Sequence, residues 1–235
     1  MKINLIKFKK NKSVYEIQFL SKLSYRKQED RYIDKKFIYH NYLTFDYLKK
    51  QSKPLTIIVL FLSIFVYIWI LISGISTVMT YLAWPKSIKY TEYWKIFTPS
   101  LLHFSLTHIL FNLMWWCYLG TKIERQLGTC KLFFIFIASA TFTNWKQSLI
   151  SNSNFGGLSG ILFSLISYAW ITSKSHPEKG IYISKKIIIF AISLLFVGYF
   201  NIFCVNTANM SHTYGLIIGL LIGLLDNKCC NIKYN

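Results

Sequence analysis

Apolar runs separated by short polar and basic segments set the pattern of this chain. Six such runs lie at about residues 55–74, 101–119, 132–149, 158–171, 188–203 and 211–225. A helix needs roughly 20 apolar residues to cross the hydrocarbon core of a bilayer, and most of these runs approach that length. Since a helix satisfies its own backbone groups in lipid, the pattern predicts an all-α membrane protein with six transmembrane helices.

The same pattern divides the chain into three parts. Residues 1–53 are a basic, tyrosine-rich segment without a clear hydrophobic period, residues 54–226 hold the six runs, and residues 227–235 form a short tail. The fourth run, at residues 158–171, is too short to cross the bilayer alone. We therefore expect a gap beside its first residue, through which water reaches the membrane interior.

Composition and charge agree with this class. Of all residues, 53% are hydrophobic and 15% are charged, whereas soluble domains carry about 25% charged residues. The net charge of +18 would also suit a nucleic-acid-binding protein. With six spans, however, the segments on the same side of the membrane as the N terminus would hold +15 of this charge. Because basic loops stay in the cytoplasm, we expect cytoplasmic N and C termini and no nucleic-acid partner. Residues 1–53 are expected to be either a small, partly folded unit or a basic arm that lies on anionic membrane lipids.

Unusual polar residues lie in the first turns of three of the runs. The second run has His103, His108 and Asn112, the fourth has Ser159, and the sixth has His212. These three runs would all cross the membrane in the same direction, so their polar residues should lie at a similar depth, towards the outer face. Ionisable groups inside spans are costly and usually functional. The pattern therefore predicts a site there.

Ser159 has the setting of an exposed nucleophile. Gly157 and Gly160 would let a substrate backbone approach closely. The N–H of Ser159 begins a helix, where a developing negative charge is stabilised. His212 is the one histidine of the sixth run and so the candidate base. No Asp or Glu lies at this depth, which indicates a Ser–His dyad.

Small residues recur at every fourth position of the sixth run, at Ser211, Gly215, Gly219 and Gly223. Such a stripe permits close packing of helices in a membrane. If it packs on Gly157 and Gly160 of the fourth run, His212 comes beside Ser159. The stripe therefore predicts how the two candidate catalytic residues meet.

His108 and Asn112 are four residues apart and share one face of a helix, so they are a candidate donor pair for an oxyanion. His103 is five residues before His108 and is rotated from it by roughly 140° in a helix. It should face elsewhere, as a structural residue or one at the mouth of the site. A metal site built from the histidines is disfavoured, because they lack a neighbouring carboxylate or thiolate and the usual spacing.

Two further interpretations are weaker. A lone serine in a span usually bonds its own helix, but Ser159 is accompanied by the histidines and Asn112. A channel or transporter is disfavoured because the runs show no inverted repeat. We expect neither a metal nor a cofactor, and the sequence makes no prediction about the oligomeric state.

Three separated motifs resemble those of the rhomboid intramembrane serine proteases. They are the HxxxxHxxxN signature from His103 to Asn112, the GxSG motif at residues 157–160, and the catalytic-histidine helix at residues 208–215. Residues 82–95 are also similar to the first outer loop of the GlpG-type bacterial members. The resemblance covers about residues 38–226.

This resemblance implies a six-helix rhomboid bundle with a short cytoplasmic N-terminal segment, in the bacterial inner membrane. It implies a serine endopeptidase that cuts transmembrane segments of other membrane proteins near the outer face. Ser159 would be the nucleophile and His212 the general base. The Ser159 N–H, His108 and Asn112 would form the oxyanion hole. The alternative is a catalytically inactive relative that binds membrane proteins in quality control. Such proteins usually lack the serine or the histidine.

Three positions depart from the family pattern. Phe163 replaces a tyrosine four residues after Ser159, but its ring would still stack on His212, so we expect activity to survive. Lys95 and Gln126 replace arginines, and neither side chain offers the forked donors of a guanidinium. We expect these two changes to affect the anchoring of loops and not the chemistry, and we expect Glu124 to have a structural role.

Overall fold

A computed structural model describes residues 53–85, 90–200 and 208–232. They form seven α-helices: α1 (Pro54–Ser73), α2 (Ile75–Leu82), α3 (Leu106–Leu127), α4 (Thr129–Ser151), α5 (Ser159–Ser175), α6 (Lys185–Tyr199) and α7 (Asn209–Ile232). Short 3-10 helices lie at Tyr90–Ile96, Thr98–Leu101 and Pro177–Lys179. These residues contain no β-strand, which confirms the all-α class. The predictions for the N-terminal segment at residues 1–52 lie outside the described residues.

The predicted and observed beginnings of the second run differ. Helix α3 begins at Leu106, and Thr98–Leu101 forms a separate 3-10 helix that contains Pro99. Ser105 caps α3, because its side chain accepts the His108 N–H at 3.2 Å. The expectation that one helix begins near residue 101 was therefore wrong.

Among the described helices, α1 is the one that is long and apolar enough to cross a membrane by length and composition alone. It has 20 residues and a mean hydropathy of 2.9. Helices α5 and α6 are shorter, with 17 and 15 residues. Helices α3, α4 and α7 carry polar residues that are buried inside the bundle, such as Asn112, Asn144 and Ser211. The count of six spans therefore stays a prediction.

Helix α5 is the centre of the bundle. Every residue from 160 to 169 is buried, and Ile161, Leu165 and Tyr168 have no exposed surface. Its polar residue Ser164 is tied to the neighbouring helix by a hydrogen bond of 2.7 Å between the hydroxyls of Ser139 on α4 and Ser164. A helix that is enclosed on all sides gives its first residue, Ser159, a fixed position.

Helix α7 packs on α5 through the predicted stripe. A Cβ atom added to Gly215 would collide with the carbonyl oxygen of Gly160, and one added to Gly219 with that of Ser164. A Cβ atom added to Gly160 would in turn collide with the Ser211 hydroxyl. The absence of these side chains lets the two backbones touch.

Two carboxyl groups, of the buried Glu124 and the partly exposed Asp226, join helices at the end of the bundle away from Ser159. Glu124 on α3 accepts hydrogen bonds from the backbone N–H groups of Leu55 and Thr56, both at 2.9 Å, and so caps α1. Asp226 on α7 accepts from Lys131 of α4 at 2.6 Å and from Tyr168 of α5 at 2.8 Å. The expected structural role of Glu124 agrees with these bonds.

Lys95, in the 3-10 helix Tyr90–Ile96, and Gln126, near the end of α3, both have partners. Lys95 is buried and its Nζ lies 2.7 Å from Glu92 Oε1. The neighbouring Trp94 donates its ring N–H to the Tyr81 carbonyl at 2.9 Å. Gln126 packs against Gly180. Lys95 thus takes part in anchoring the first loop through an ion pair.

Candidate active site

Ser159 and His212 are hydrogen-bonded to each other. Ser159 is the first residue of α5, and His212 is in the first turn of α7. The distance between Ser159 Oγ and His212 Nε2 is 2.8 Å. The pair lies where the stripe of α7 meets Gly160, as the sequence suggested. Gly157, the other expected contact of the stripe, faces His108 and Asn112 instead. The arrangement suits proton transfer from the hydroxyl to the imidazole.

The Phe163 ring stacks on the face of the His212 imidazole. The ring centroids of Phe163 and His212 are 4.6 Å apart and the ring planes are inclined by 19°. The other ring nitrogen, Nδ1 of His212, is buried and has no hydrogen-bond partner in the part of the chain that the structure describes. Stacking and the Ser159 hydroxyl therefore orient this histidine.

Gly157 leaves room for the two candidate oxyanion donors. Its φ of 116° is a conformation that side-chain-bearing residues rarely adopt. A Cβ atom there would lie 2.7 Å from His108 Nε2 and 3.7 Å from Asn112 Nδ2. His108 and Asn112 thus both border the space above Gly157, two residues before Ser159. Asn112 uses Nδ2 as a donor to the His108 carbonyl at 3.0 Å and has a second N–H on the same nitrogen.

His103 lies in the loop before α3, so the rotation expected for a helical residue does not apply. The side chain is fully buried, and Nδ1 lies 3.0 Å from the Leu101 carbonyl oxygen. Its ring meets that of His108 edge to face, with centroids 5.0 Å apart. The prediction that it faces away from His108 was therefore wrong. Its position supports the structural role among the two roles considered.

A cavity of about 760 Å³ lies beside the pair. It reaches Ser159, His212, His108 and Asn112, and its other walls are mostly apolar side chains of α3, α5 and α6. On the side away from Ser159, Trp115 of α3 stacks on Phe190 of α6 with ring centroids 5.9 Å apart. The cavity has the size and lining of a site for an apolar segment.

The sequence interpretation missed Gln147, which also lines this cavity. Its Oε1 accepts the backbone N–H of Ser211 at 3.0 Å, and its Nε2 donates to the Ser151 hydroxyl at 2.7 Å. A signal was present in the sequence. Ser139, Thr143 and Gln147 recur at every fourth position of α4, and all three are buried.

The described residues contain no group of three or more His, Cys, Asp or Glu side chains that could hold a metal ion. The histidines of the site face a hydroxyl, an amide and aromatic rings. The chemistry that these groups can perform together is acyl transfer by a serine nucleophile.

Comparisons with known proteins identify the family. Residues 90–228 match the model of the Rhomboid domain. The chain is 50% identical over 190 residues to Rhomboid protease GlpG of Photorhabdus laumondii, which covers 81% of this chain and 67% of that protein. It is 47% identical over 191 residues to Rhomboid protease GlpG of Yersinia pestis, covering 80% and 69% of the two chains. The chain therefore belongs to the rhomboid family of intramembrane serine proteases, among its GlpG-type members.

Proposed function

We propose that this protease cleaves transmembrane segments with a Ser159–His212 dyad. The observation that carries the proposal is the hydrogen bond of 2.8 Å between Ser159 Oγ and His212 Nε2. The two side chains come from different helices and border an apolar cavity together with His108 and Asn112. A base that already contacts the nucleophile is the arrangement that acyl transfer needs.

In the first half of the reaction, Ser159 Oγ attacks the carbonyl carbon of the scissile peptide bond while its proton moves to His212 Nε2. The carbonyl oxygen becomes an oxyanion. We assign its stabilisation to the Ser159 N–H at the beginning of α5, to His108 Nε2–H and to Asn112 Nδ2–H. When the tetrahedral intermediate collapses, the C–N bond breaks and the leaving nitrogen takes the proton from His212. An ester to Ser159 remains.

In the second half, water attacks that ester and gives a proton to His212. The same donors stabilise the second oxyanion. The C–O bond to Ser159 then breaks, and Oγ recovers the proton from His212. The dyad returns to its first state, and the net reaction is hydrolysis of one peptide bond.

We also propose a location for the reaction. The distribution of basic residues supports six spans with both termini in the cytoplasm. The bacterial GlpG relatives support the inner membrane of a bacterium. Ser159, at the beginning of α5, would then lie towards the outer face. The substrates would be transmembrane segments of other membrane proteins, cut near their outer ends. Segments that unwind easily would reach the dyad best, because a peptide bond inside a helix is shielded by the surrounding turns.

Two alanine variants test the dyad. Ser159→Ala and His212→Ala should each reduce cleavage of a model transmembrane substrate by at least about 10³-fold, because each removes a partner of the acyl-transfer step. A fluorophosphonate should label wild-type protein at Ser159 alone. Ser148→Ala and His176→Ala are matched controls, because Ser148 bonds its own helix and His176 pairs with Glu178. Full activity of either dyad variant would overturn the assignment.

Thiol labelling tests the topology. In a background that keeps Cys130 alone, a membrane-impermeant maleimide should label this exposed residue only after the inner membrane is opened. In a cysteine-free background, Ser153→Cys, between α4 and α5, should react in intact spheroplasts. The reverse pattern would overturn the proposed orientation. Loss of both signals in folded protein would show that neither turn reaches water.

A binding protein without catalysis is the weaker candidate function. Both Ser159 and His212 are present and hydrogen-bonded to each other, and the relatives named above are proteases. The fluorophosphonate experiment separates the two functions, because a binding protein would not be labelled at Ser159.

A further inference from the structure

Helix α7, whose first turn carries His212, begins after an alanine. The His212 N–H bonds the Ala208 carbonyl at 3.1 Å, so Ala208 has the N-cap position and Ser211 is the third residue of the helix. An N-cap side chain ordinarily accepts the N–H of the second or third residue. Alanine has no oxygen with which to do this, so the Ser211 N–H needs an acceptor from elsewhere.

Gln147 of α4 supplies that acceptor. Its Oε1 lies 3.0 Å from the Ser211 N, in a buried contact between residues 64 positions apart. Gln147 and Ser211 are 4% and 5% exposed, so water is a poor substitute for the amide oxygen. The Nε2 of Gln147 is held by Ser151 at 2.7 Å, which fixes which way the oxygen points.

We propose that Gln147 is a positioning residue for the general base. It caps α7 from the neighbouring helix and so fixes the first turn in which His212 lies, one residue after Ser211. His212 Nδ1 has no partner among the described residues that could fix the imidazole instead. With the ring stacked on Phe163, the backbone of the first turn sets how close Nε2 comes to Ser159 Oγ. The inference rests on the proposed dyad and assigns Gln147 no contact with the reacting atoms.

Gln147 also lines the cavity, so a second role has to be separated from this one. A residue that bound substrate or held the attacking water would affect peptide hydrolysis but not the capture of a small fluorophosphonate. That capture needs only the activated serine and the oxyanion donors. A residue that positions His212 affects both reactions. The rate constant of Ser159 labelling is therefore the decisive measurement.

The experiment compares three changes in the full-length protein. Gln147→Met keeps the size and removes both polar atoms, and we expect labelling to slow about tenfold. Gln147→Glu keeps an acceptor for the Ser211 N–H and should stay within about threefold of wild type. Adding Ala208→Ser to Gln147→Met supplies a local cap and should restore much of the lost rate. Ser139→Ala, which removes another buried hydrogen bond of α4, is the control and should label normally.

The possible results lead to different conclusions. Labelling of Gln147→Met at the wild-type rate would overturn the proposal, even if peptide cleavage were lost. An equal loss of labelling rate in Gln147→Met and Gln147→Glu, without rescue by Ala208→Ser, would also overturn the proposal. If Gln147→Met does not fold, Gln147→Asn, whose oxygen is one methylene shorter, takes its place with the same rescue. Failure of the wild type to label at Ser159 would instead refute the dyad itself.

Discussion

The two ends of the α5–α7 pair are held together in different ways. At the end away from Ser159, Asp226 of α7 binds Tyr168 of α5 and Lys131 of α4. At the reactive end, Gly215 rests on the Gly160 carbonyl, and Ser159 meets His212 in a hydrogen bond of 2.8 Å. The end away from Ser159 is thus joined through a carboxylate, and the reactive end through a glycine contact and the hydrogen bond of the dyad. The hydrogen bond at the reactive end is itself the path by which His212 can take and return a proton.

The strongest way to break this contrast is to add one methyl group at the reactive end. Gly215→Ala should lower cleavage about 100-fold, because its Cβ must push Gly160 away and so move His212 from Ser159. Initial cleavage rates in proteoliposomes give the effect. Gly223→Ala is the matched control, since its Cβ would collide only with a methyl of Ile171, a side chain that can move. Equal loss in both variants would contradict the contrast.

The opposite change weakens the end of the bundle away from Ser159, at Glu124, and leaves the reactive end intact. Glu124→Gln should cost about 2–3 kcal/mol of stability, because the two carboxyl oxygens accept bonds from Leu55, Thr56 and Thr129, and an amide nitrogen cannot accept any. Cleavage per folded molecule should not change. Denaturant titration and activity on one sample measure both. Glu178→Gln, on a half-exposed side chain, is the control.

A smaller effect is expected at Asp226. Asp226→Asn keeps an acceptor for Tyr168 but loses the charge that attracts Lys131, and both side chains of that ion pair are about a quarter exposed. We expect a loss of about 0.5–1 kcal/mol in unfolding free energy, with normal cleavage. A double-mutant cycle with Lys131→Met isolates the pair. Loss of activity without loss of stability would show that the two ends are coupled.

The smallest effect is expected where Phe163 departs from the family pattern. Phe163→Tyr adds a hydroxyl but keeps the ring on His212, so cleavage should change by less than about threefold. Phe163→Leu removes the stacked ring and should lower the rate about tenfold, because it frees the imidazole to turn. Steady-state kinetics of the three proteins decide this. A large gain from Phe163→Tyr would show that the hydroxyl matters to this chain.

Much of the architecture could be predicted from the sequence. Apolar runs indicated the helices because only continuous helical hydrogen bonding suits such segments, and the four-residue spacing of Gly215 and Gly219 indicated the close contact with α5. The beginning of α3 was missed. The residues around His103 are as apolar as those of a transmembrane helix. However, Pro99 lies in a separate 3-10 helix that ends at Leu101, and the Ser105 side chain caps the beginning of α3. Such local signals are weaker than a run of hydrophobic residues.

The partners of some site residues were out of reach of sequence reasoning. Ser159, His212, His108 and Asn112 could be proposed because polar groups are conspicuous in apolar helices. Gln147 is equally polar, yet its role depends on a contact with Ser211, which lies 64 positions further along the chain. The pairing of Asp226 with Lys131 joins residues 95 positions apart. Long-range partners of this kind follow from the packing and not from the spacing of residues.

The contact between Gly215 and Gly160 has a genetic consequence. Glycine and alanine codons differ by one base, so a single nucleotide change could add the methyl group that separates the dyad. A lineage that no longer needed the protease could lose it in this way and still keep Ser159 and His212 in its gene. Surveys that sort active from inactive relatives by the serine and histidine alone would then count such a gene among the enzymes.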